Sequence, residues 1–251
     1  MLEKVIIKFM PEITKIKARN YHVLKKNSGF LLHSSSFSLG AESHLWLPIL
    51  CLAGAKTARE PNALTLQLAG SLHLFSLATQ LHWSISDDET DPRKDKNKYH
   101  ILMGDLLYSL ACAEISRPEL QPYLHDFADM IRGVHMERIR GDLSADEYGG
   151  LFAHPAIMIN LGETACLWGA RSVCENTCIT EMPRKLGACF GQLRAHWERN
   201  PLGIPEPEVW YQAWDICARI PSAEGRAIFR TILGALGEKW EGPNRCRNAS
   251  L

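Results

Sequence analysis

The chain has 251 residues, 46% of them hydrophobic and 22% charged, and its 28 basic and 28 acidic side chains give a formal net charge of zero. That length buries one sizeable core, the composition is ordinary for a soluble globular protein, and the charge balance excludes a global field that would draw the chain to nucleic acid. The eight cysteines lack paired Cys-x-x-Cys spacing, and Cys174-x-x-x-Cys178 alone is a weak metal signal, so reduced thiols packed as small hydrophobes are expected.

The opening stretch, residues 1–35, is basic. Lys4, Lys8, Lys15, Lys17, Arg19, Lys25 and Lys26 face only Glu3 and Glu12. It reads as a solvated helix face, and a sharper reading is weak peripheral attraction to anionic lipid headgroups. Val5-Ile6-Ile7 is too short for a signal-peptide core and Lys8 interrupts it, so a cytoplasmic location is expected.

From Trp46 through Pro48 to Thr57 the chain is apolar and helical. Pro61-Asn62 opens a long central helix that runs towards Ser84-Ile85-Ser86, apolar nearly all round as befits the buried centre of a bundle. A polar loop, Pro92 to Lys98, precedes an apolar helix over Tyr99–Ile115. Pro118 opens another helix, with Leu124, Phe127, Ala128 and Ile131 assigned to one face. After a break at Gly141–Gly150, helices are expected over Pro155–Cys174 and Pro183–Trp197. Pro201, Gly203, Pro205 and Pro207 form a stiff connector to two short helices carrying Trp210, Trp214, Ile216, Ile220, Phe229 and Leu233. No alternating run argues for a sheet. The expectation is one all-α domain over 1–251, a single helical bundle with a frayed tail at 241–251.

Asp87-Asp88-Glu89-Thr90-Asp91 reads as Asp-Asp-x-x-Asp at the end of the central helix. On a continuing helix, Asp87 and Asp88 share a face with Asp91. Like charges at that spacing repel by about 0.2–0.5 kcal/mol per pair, and a helix C-terminus disfavours anions. Magnesium offsets such repulsion when carboxylates and phosphate oxygens share it. The plainer reading is a solvated acidic loop beside Arg93, Lys94, Lys96 and Lys98.

Four segments succeed one another: Leu47-Pro48-Ile49-Leu50-Cys51-Leu52-Ala53, Leu68-Ala69-Gly70-Ser71-Leu72, Ser84-Ile85-Ser86-Asp87-Asp88 and Ile101-Leu102-Met103-Gly104-Asp105-Leu106-Leu107. With Gly162-Glu163-Thr164-Ala165-Cys166 further on, their order resembles the trans-polyprenyl diphosphate synthases over about residues 40 to 195. The resemblance implies their isoprenoid-synthase helical bundle, in degenerate form. Family members join an allylic diphosphate to isopentenyl diphosphate with magnesium held on two aspartate motifs.

Against that pattern the chain lacks most of the charged machinery. The family's basic Gly-Lys-x-x-Arg-Pro cluster falls at Ser43-His44-Leu45-Trp46-Leu47-Pro48. The helix histidine upstream of the aspartates falls at Gln80 and the helical lysine at Glu163. The second aspartate motif, due after Phe190, is replaced by Gly191-Gln192-Leu193-Arg194-Ala195-His196, with no acid until Glu198.

The family includes heterodimers whose small subunit keeps the fold in degenerate form. The chain resembles that group, known as heptaprenyl (or hexaprenyl) diphosphate synthase component I. The implied role is a regulatory small subunit, inactive alone, beside a large catalytic subunit in menaquinone side-chain synthesis. The resemblance implies no catalytic residue and no cofactor of the chain's own. Asp87, Asp88 and Asp91 are then a vestigial metal motif, Gly104-Asp105 a structural motif, and Mg2+ belongs to the partner. Trp210 and Trp214, four apart on a helix, are the candidates for a partner-facing patch. Two other readings stay open: an active single-chain class I prenyltransferase using Asp87, Asp88 and Asp91, and a helical binding module unrelated to isoprenoids.

Overall fold

The structure is a computed structural model that describes residues 3–28, 42–85, 96–140, 153–200 and 206–237. Ten α-helices run through these residues: α1 (Glu3–Lys8), α2 (Met10–Ser28), α3 (Trp46–Lys56), α4 (Ala63–Trp83), α5 (Asn97–Ile115), α6 (Leu124–Arg140), α7 (Pro155–Arg171), α8 (Thr177–Arg199), α9 (Pro207–Arg219) and α10 (Ala223–Gly237). Short 3-10 turns at Glu42–Leu45 and Pro118–Tyr123 lead into α3 and α6. No strand occurs among the described residues, as the sequence pattern predicts. No described helix is long and apolar enough to cross a membrane.

Helix α4 is the central rod. Every residue from Leu68 to Thr79 is buried. It begins at Ala63, two residues later than Pro61, because Asn62 caps it. The Asn62 side chain accepts from the Thr65 amide at 2.9 Å, and the Thr65 hydroxyl accepts from the Asn62 amide at 3.1 Å. Two orphan donors at the helix start are thereby satisfied.

Helices α3, α7 and α8 pack backbone against backbone. A Cβ on Gly162 would lie 2.2 Å from the Gly187 carbonyl oxygen, and one on Gly191 would lie 2.0 Å from that of Met158. On the other side of α7, a Cβ on Gly169 would lie 1.8 Å from the Cys51 oxygen. Only glycine lets these axes approach so closely. The aromatic filling follows: Trp46 meets Phe190 edge-on at 6.5 Å, and Phe190 stacks on Phe229 at 5.5 Å. One continuous apolar core runs from Val5 on α1 to Leu236 on α10.

Three sequence expectations change. Helix α8 starts at Thr177, six residues before Pro183, because the Asn176 side chain accepts from the Cys178 amide at 3.0 Å and caps it. Pro183 sits buried inside the helix, where its missing N–H leaves the Ile179 carbonyl without its usual partner. On α6 the inward stripe is Phe127, Met130 and Val134, with Leu124 and Ala128 facing outwards. The helix carries two apolar stripes, and periodicity alone does not say which one the core takes.

Candidate functional site

Asp87, Asp88 and Asp91 lie outside the described residues, but the end of α4 that leads to them is well defined. There α4 and α5 are latched. His82 Nε2 meets Asp105 Oδ1 at 3.1 Å. Gly104 makes that possible, since a Cβ on it would lie 2.4 Å from the His82 ring. Tyr108 stacks beside His82 at 6.4 Å, and the Ser84 hydroxyl shares a 2.9 Å hydrogen bond with His100 Nδ1. The Arg138 guanidinium of α6 lies 5.0 Å over the Trp83 ring. Gly104 and Asp105 thus fasten two helices through a histidine that the sequence pattern did not single out.

On α8, where a second aspartate motif is due, stands Arg194. Its side chain is 5% exposed and is ion-paired with Glu198 one turn on. Trp197 and Trp46 roof the guanidinium at 5.2 and 5.8 Å. Burial weakens its basicity, and the Glu198 carboxylate opposes that shift. Such a group is held as a cation by one matched anion and two π faces. The neighbouring polar residue, Gln192, donates to Glu206 at 2.6 Å. Arg194 was visible in the sequence as a substitution. Its pairing was legible only as the i,i+4 spacing to Glu198.

The stretch matching the family's basic cluster is equally changed. Leu47, at the arginine position, and Leu45 beside it are fully buried in the core. Burial lowers the basicity of His44, and its Nδ1 has no hydrogen-bond partner among the described residues. Close to it is His73 of α4, fully enclosed. Desolvation first, then His44 and Lys17, push the His73 pKa down to about 3. Its Nδ1 pairs with Asn20 Nδ2 at 3.2 Å, and Asn20 Nδ2 also donates to the Gly70 carbonyl at 3.1 Å. Nδ1 therefore accepts, and the proton of the neutral ring sits on Nε2.

Two further positions complete the picture. Glu163 pairs with Arg184 across α7 and α8 at 3.2 Å, and Gln80 donates to the Ser76 hydroxyl at 3.1 Å. The fold family's magnesium set does not fit these residues. A metal site on α8 requires carboxylates facing α4, and α8 offers there a guanidinium engaged with Glu198. Among the described residues no group of three or more metal-ligating side chains converges, and Cys174 and Cys178 are free thiols.

A cleft of about 1250 Å³ opens between the start of α4, the end of α7 and the start of α8, lined by Arg59, Tyr123, Arg171, Glu181 and Arg184 among others. It lies at the opposite end of α4 from Ser84, about 30 Å away along a helix of 21 residues. Two of its arginines are matched: Arg171 bonds Asp126 at 2.6 Å, and Arg184 bonds Glu181 at 2.7 Å.

The two candidate partner-facing tryptophans differ. Trp210 is buried, and its ring closes over Gly237. Trp214 is half-buried beneath Arg230, whose guanidinium lies 6.0 Å from the ring. The large apolar side chains that do reach solvent near the Gly104 latch are Ile101 and Leu102 on α5 and Met136 and Ile139 on α6.

No family model matches the chain, and no curated protein matches it. Solved structures do. A decaprenyl diphosphate synthase from Rhodobacter capsulatus is similar at 11% identity and a TM-score of 0.67, covering 95% of this chain and 99% of that one. A deletion mutant of the mint heterotetrameric geranyl pyrophosphate synthase, in complex with ligands, is similar at 16% identity and a TM-score of 0.58, covering 89% of this chain and 98% of that one. The geranyl diphosphate synthase small subunit from Antirrhinum majus gives 16% identity and a TM-score of 0.50, over 89% of this chain and 98% of that one. The chain has the isoprenoid synthase fold.

Proposed function

We propose that this chain is the small, non-catalytic subunit of a heteromeric trans-prenyl diphosphate synthase. The observation that carries the reading is Arg194. A catalytic site of this fold gathers divalent cations around a diphosphate, and a second acidic motif must face the first. Here that place on α8 holds a buried guanidinium, neutralised by Glu198 and covered by two indoles. It repels a metal ion and has little charge to spare for a phosphate. The loss is concerted: Leu47 is a core residue, and Glu163 opposes an anion where a cation is due. A single-chain enzyme would need replacements for all of them.

Likeness to a small subunit of geranyl diphosphate synthase and to a heterotetrameric synthase supports the heteromeric part of the reading. The sequence resemblance to the heptaprenyl- and hexaprenyl-type component I supports a longer product, the isoprenoid side chain of menaquinone, made in the cytoplasm. In this reading the partner supplies both aspartate motifs and the magnesium. This chain contributes by ordering the partner's helices or extending the wall that bounds the growing apolar product. We assign the contact to the exposed apolar strip of α5 and α6, Ile101, Leu102, Met136 and Ile139, of which Ile139 is 67% exposed.

Co-expression with a synthase chain that carries both aspartate motifs, taken from the same organism, tests the contact. The expected result is one co-eluting complex in size-exclusion chromatography, lost in a Leu102→Asp/Ile139→Asp variant that keeps its circular dichroism spectrum. Separate elution of the two wild-type chains at micromolar concentration would overturn it.

A further inference from the structure

The outer face of α1 and α2 is a second surface that neither the core nor a neighbouring helix uses among the described residues. The inner face of α2, with Ile13, Ile16, Asn20 and Leu24, is buried against the bundle. Hydrogen bonding runs through the turn that joins the two helices: the Phe9 amide reaches the Val5 carbonyl, and the Ile13 amide reaches that of Phe9. Residues 7, 10, 14, 21 and 25 therefore fall along one outward line. Three apolar side chains stand on it: Ile7 is 62% exposed, Met10 46% and Tyr21 51%. Lys25 is exposed on the same line, and Lys15 and Lys26 are exposed a third of a turn or more round the helix, on the flank that also carries Arg19; none of the three pairs with an acid among the described residues. Among the described residues of α1 and α2, Glu3 is the exposed acid, and Glu12 is half-buried on the flank. The basic groups that do have partners point elsewhere: Arg19 pairs with Glu114 on α5, and Lys8 donates to the Thr231 hydroxyl on α10.

We propose that this α1–α2 face docks the protein onto an anionic lipid bilayer, with Ile7, Met10 and Tyr21 entering the interface and Lys15, Lys25 and Lys26 lying among the headgroups. A solvated face for its own sake does not need three large apolar side chains in the open. An acidic protein or a nucleic acid would use the lysines but gain little from Ile7 and Met10 together. A bilayer takes both, because the interface accommodates apolar and aromatic tips while lysine stems reach back to the phosphates. The formal charge of the whole chain is zero, so the attraction is local to this face and short-ranged. The proposal stands independently of any catalytic partner, because it concerns this chain alone.

The test is co-sedimentation of the full chain with vesicles of phosphatidylcholine alone and of phosphatidylcholine with a third phosphatidylglycerol. Binding is expected only to the anionic vesicles, and it should weaken as salt rises from 0.1 to 0.5 M. At about fivefold per lysine, a Lys15→Glu/Lys25→Glu/Lys26→Glu variant should lose on the order of a hundredfold or more in apparent affinity. A Met10→Ser/Tyr21→Ser variant should lose about tenfold with its salt dependence kept. Lys96→Glu/Lys98→Glu, at the start of α5, serves as the control and should bind as wild type. The dichroism spectrum and melting temperature of each variant identify any that fails to fold, and the exposed lysines leave the core untouched. No binding to anionic vesicles, or equal binding by the three-lysine variant, overturns the proposal. Vesicle-independent loss of a protein complex in that variant overturns it in favour of an acidic protein partner.

Discussion

The α3–α7–α8 side of the bundle and its α5–α6 side are held in opposite ways. On the first, helix backbones touch at glycines, and no side chain larger than hydrogen fits at Gly162, Gly169, Gly187 or Gly191. On the second, α5 and α6 meet through side chains such as Tyr108 and His135, 6.3 Å apart, and apolar residues are left facing out. Backbone contact tolerates almost no change in sequence, so the frame of the fold persists there. The charged positions set on that frame are freer: where the resembling synthases carry cations and a second acidic motif, this chain carries leucine, an Arg194–Glu198 pair and Glu163. The outward apolar residues of α5 and α6 find no cover among the described residues.

The largest expected effect breaks the first side. Gly169→Ala places a methyl against the Cys51 carbonyl and should cost about 3 kcal/mol, the upper end of overpacking penalties. Urea unfolding measures it, and a loss below about 1 kcal/mol would mean that α3 and α7 slide apart easily. Next comes the ion pair. Glu198→Gln takes the carboxylate from the buried Arg194 guanidinium, and because Glu198 is itself 29% exposed the loss should be about 2 kcal/mol. The double variant Arg194→Met/Glu198→Leu should recover most of that loss, because no buried charge remains.

The third effect is the pH dependence due to His73. Its folded pKa of about 3 lies below the ordinary histidine value of 6.5, so between those limits the unfolded chain binds the extra proton. Its contribution is complete above pH 6.5 and falls as pH drops. One such group removes about 1.4 kcal/mol between pH 7.5 and 5.5. His73→Gln should flatten that part of the profile, as chemical denaturation at the two pH values would report. The smallest effect sharpens the comparison from the other side. Leu102→Asp or Ile139→Asp should change the stability of the isolated chain by no more than about 0.5 kcal/mol, since neither is packed in it. A large loss in either would show that the α5–α6 strip is closed within the monomer.

Much of this was legible in the sequence. Helical periodicity and Pro/Asn punctuation located α3, α4, α5 and α7, and the order of short motifs indicated the fold. The missing cations at 47 and 163 could be read one residue at a time. What could not be read is orientation. Periodicity places Leu124 and Phe127 on one apolar arc of α6, and only packing puts Phe127 inside and Leu124 out. Trp210 looked like a partner-facing residue because indoles favour interfaces, yet Gly237 opens a slot for its ring in the core. The His82–Asp105 latch spans 23 positions and has no local pattern, although the need for glycine at 104 is its trace.

In the proposed role this chain supports prenyl transfer without performing it. Incubating the purified chain with an allylic diphosphate, isopentenyl diphosphate and magnesium, with and without a catalytic subunit bearing both aspartate motifs, tests that most directly. The predicted result is no prenyl product from the chain alone and product only from the mixture, unchanged when Asp87, Asp88 and Asp91 of this chain are replaced by Asn. Sustained turnover by the chain alone, abolished by those same replacements, would contradict it.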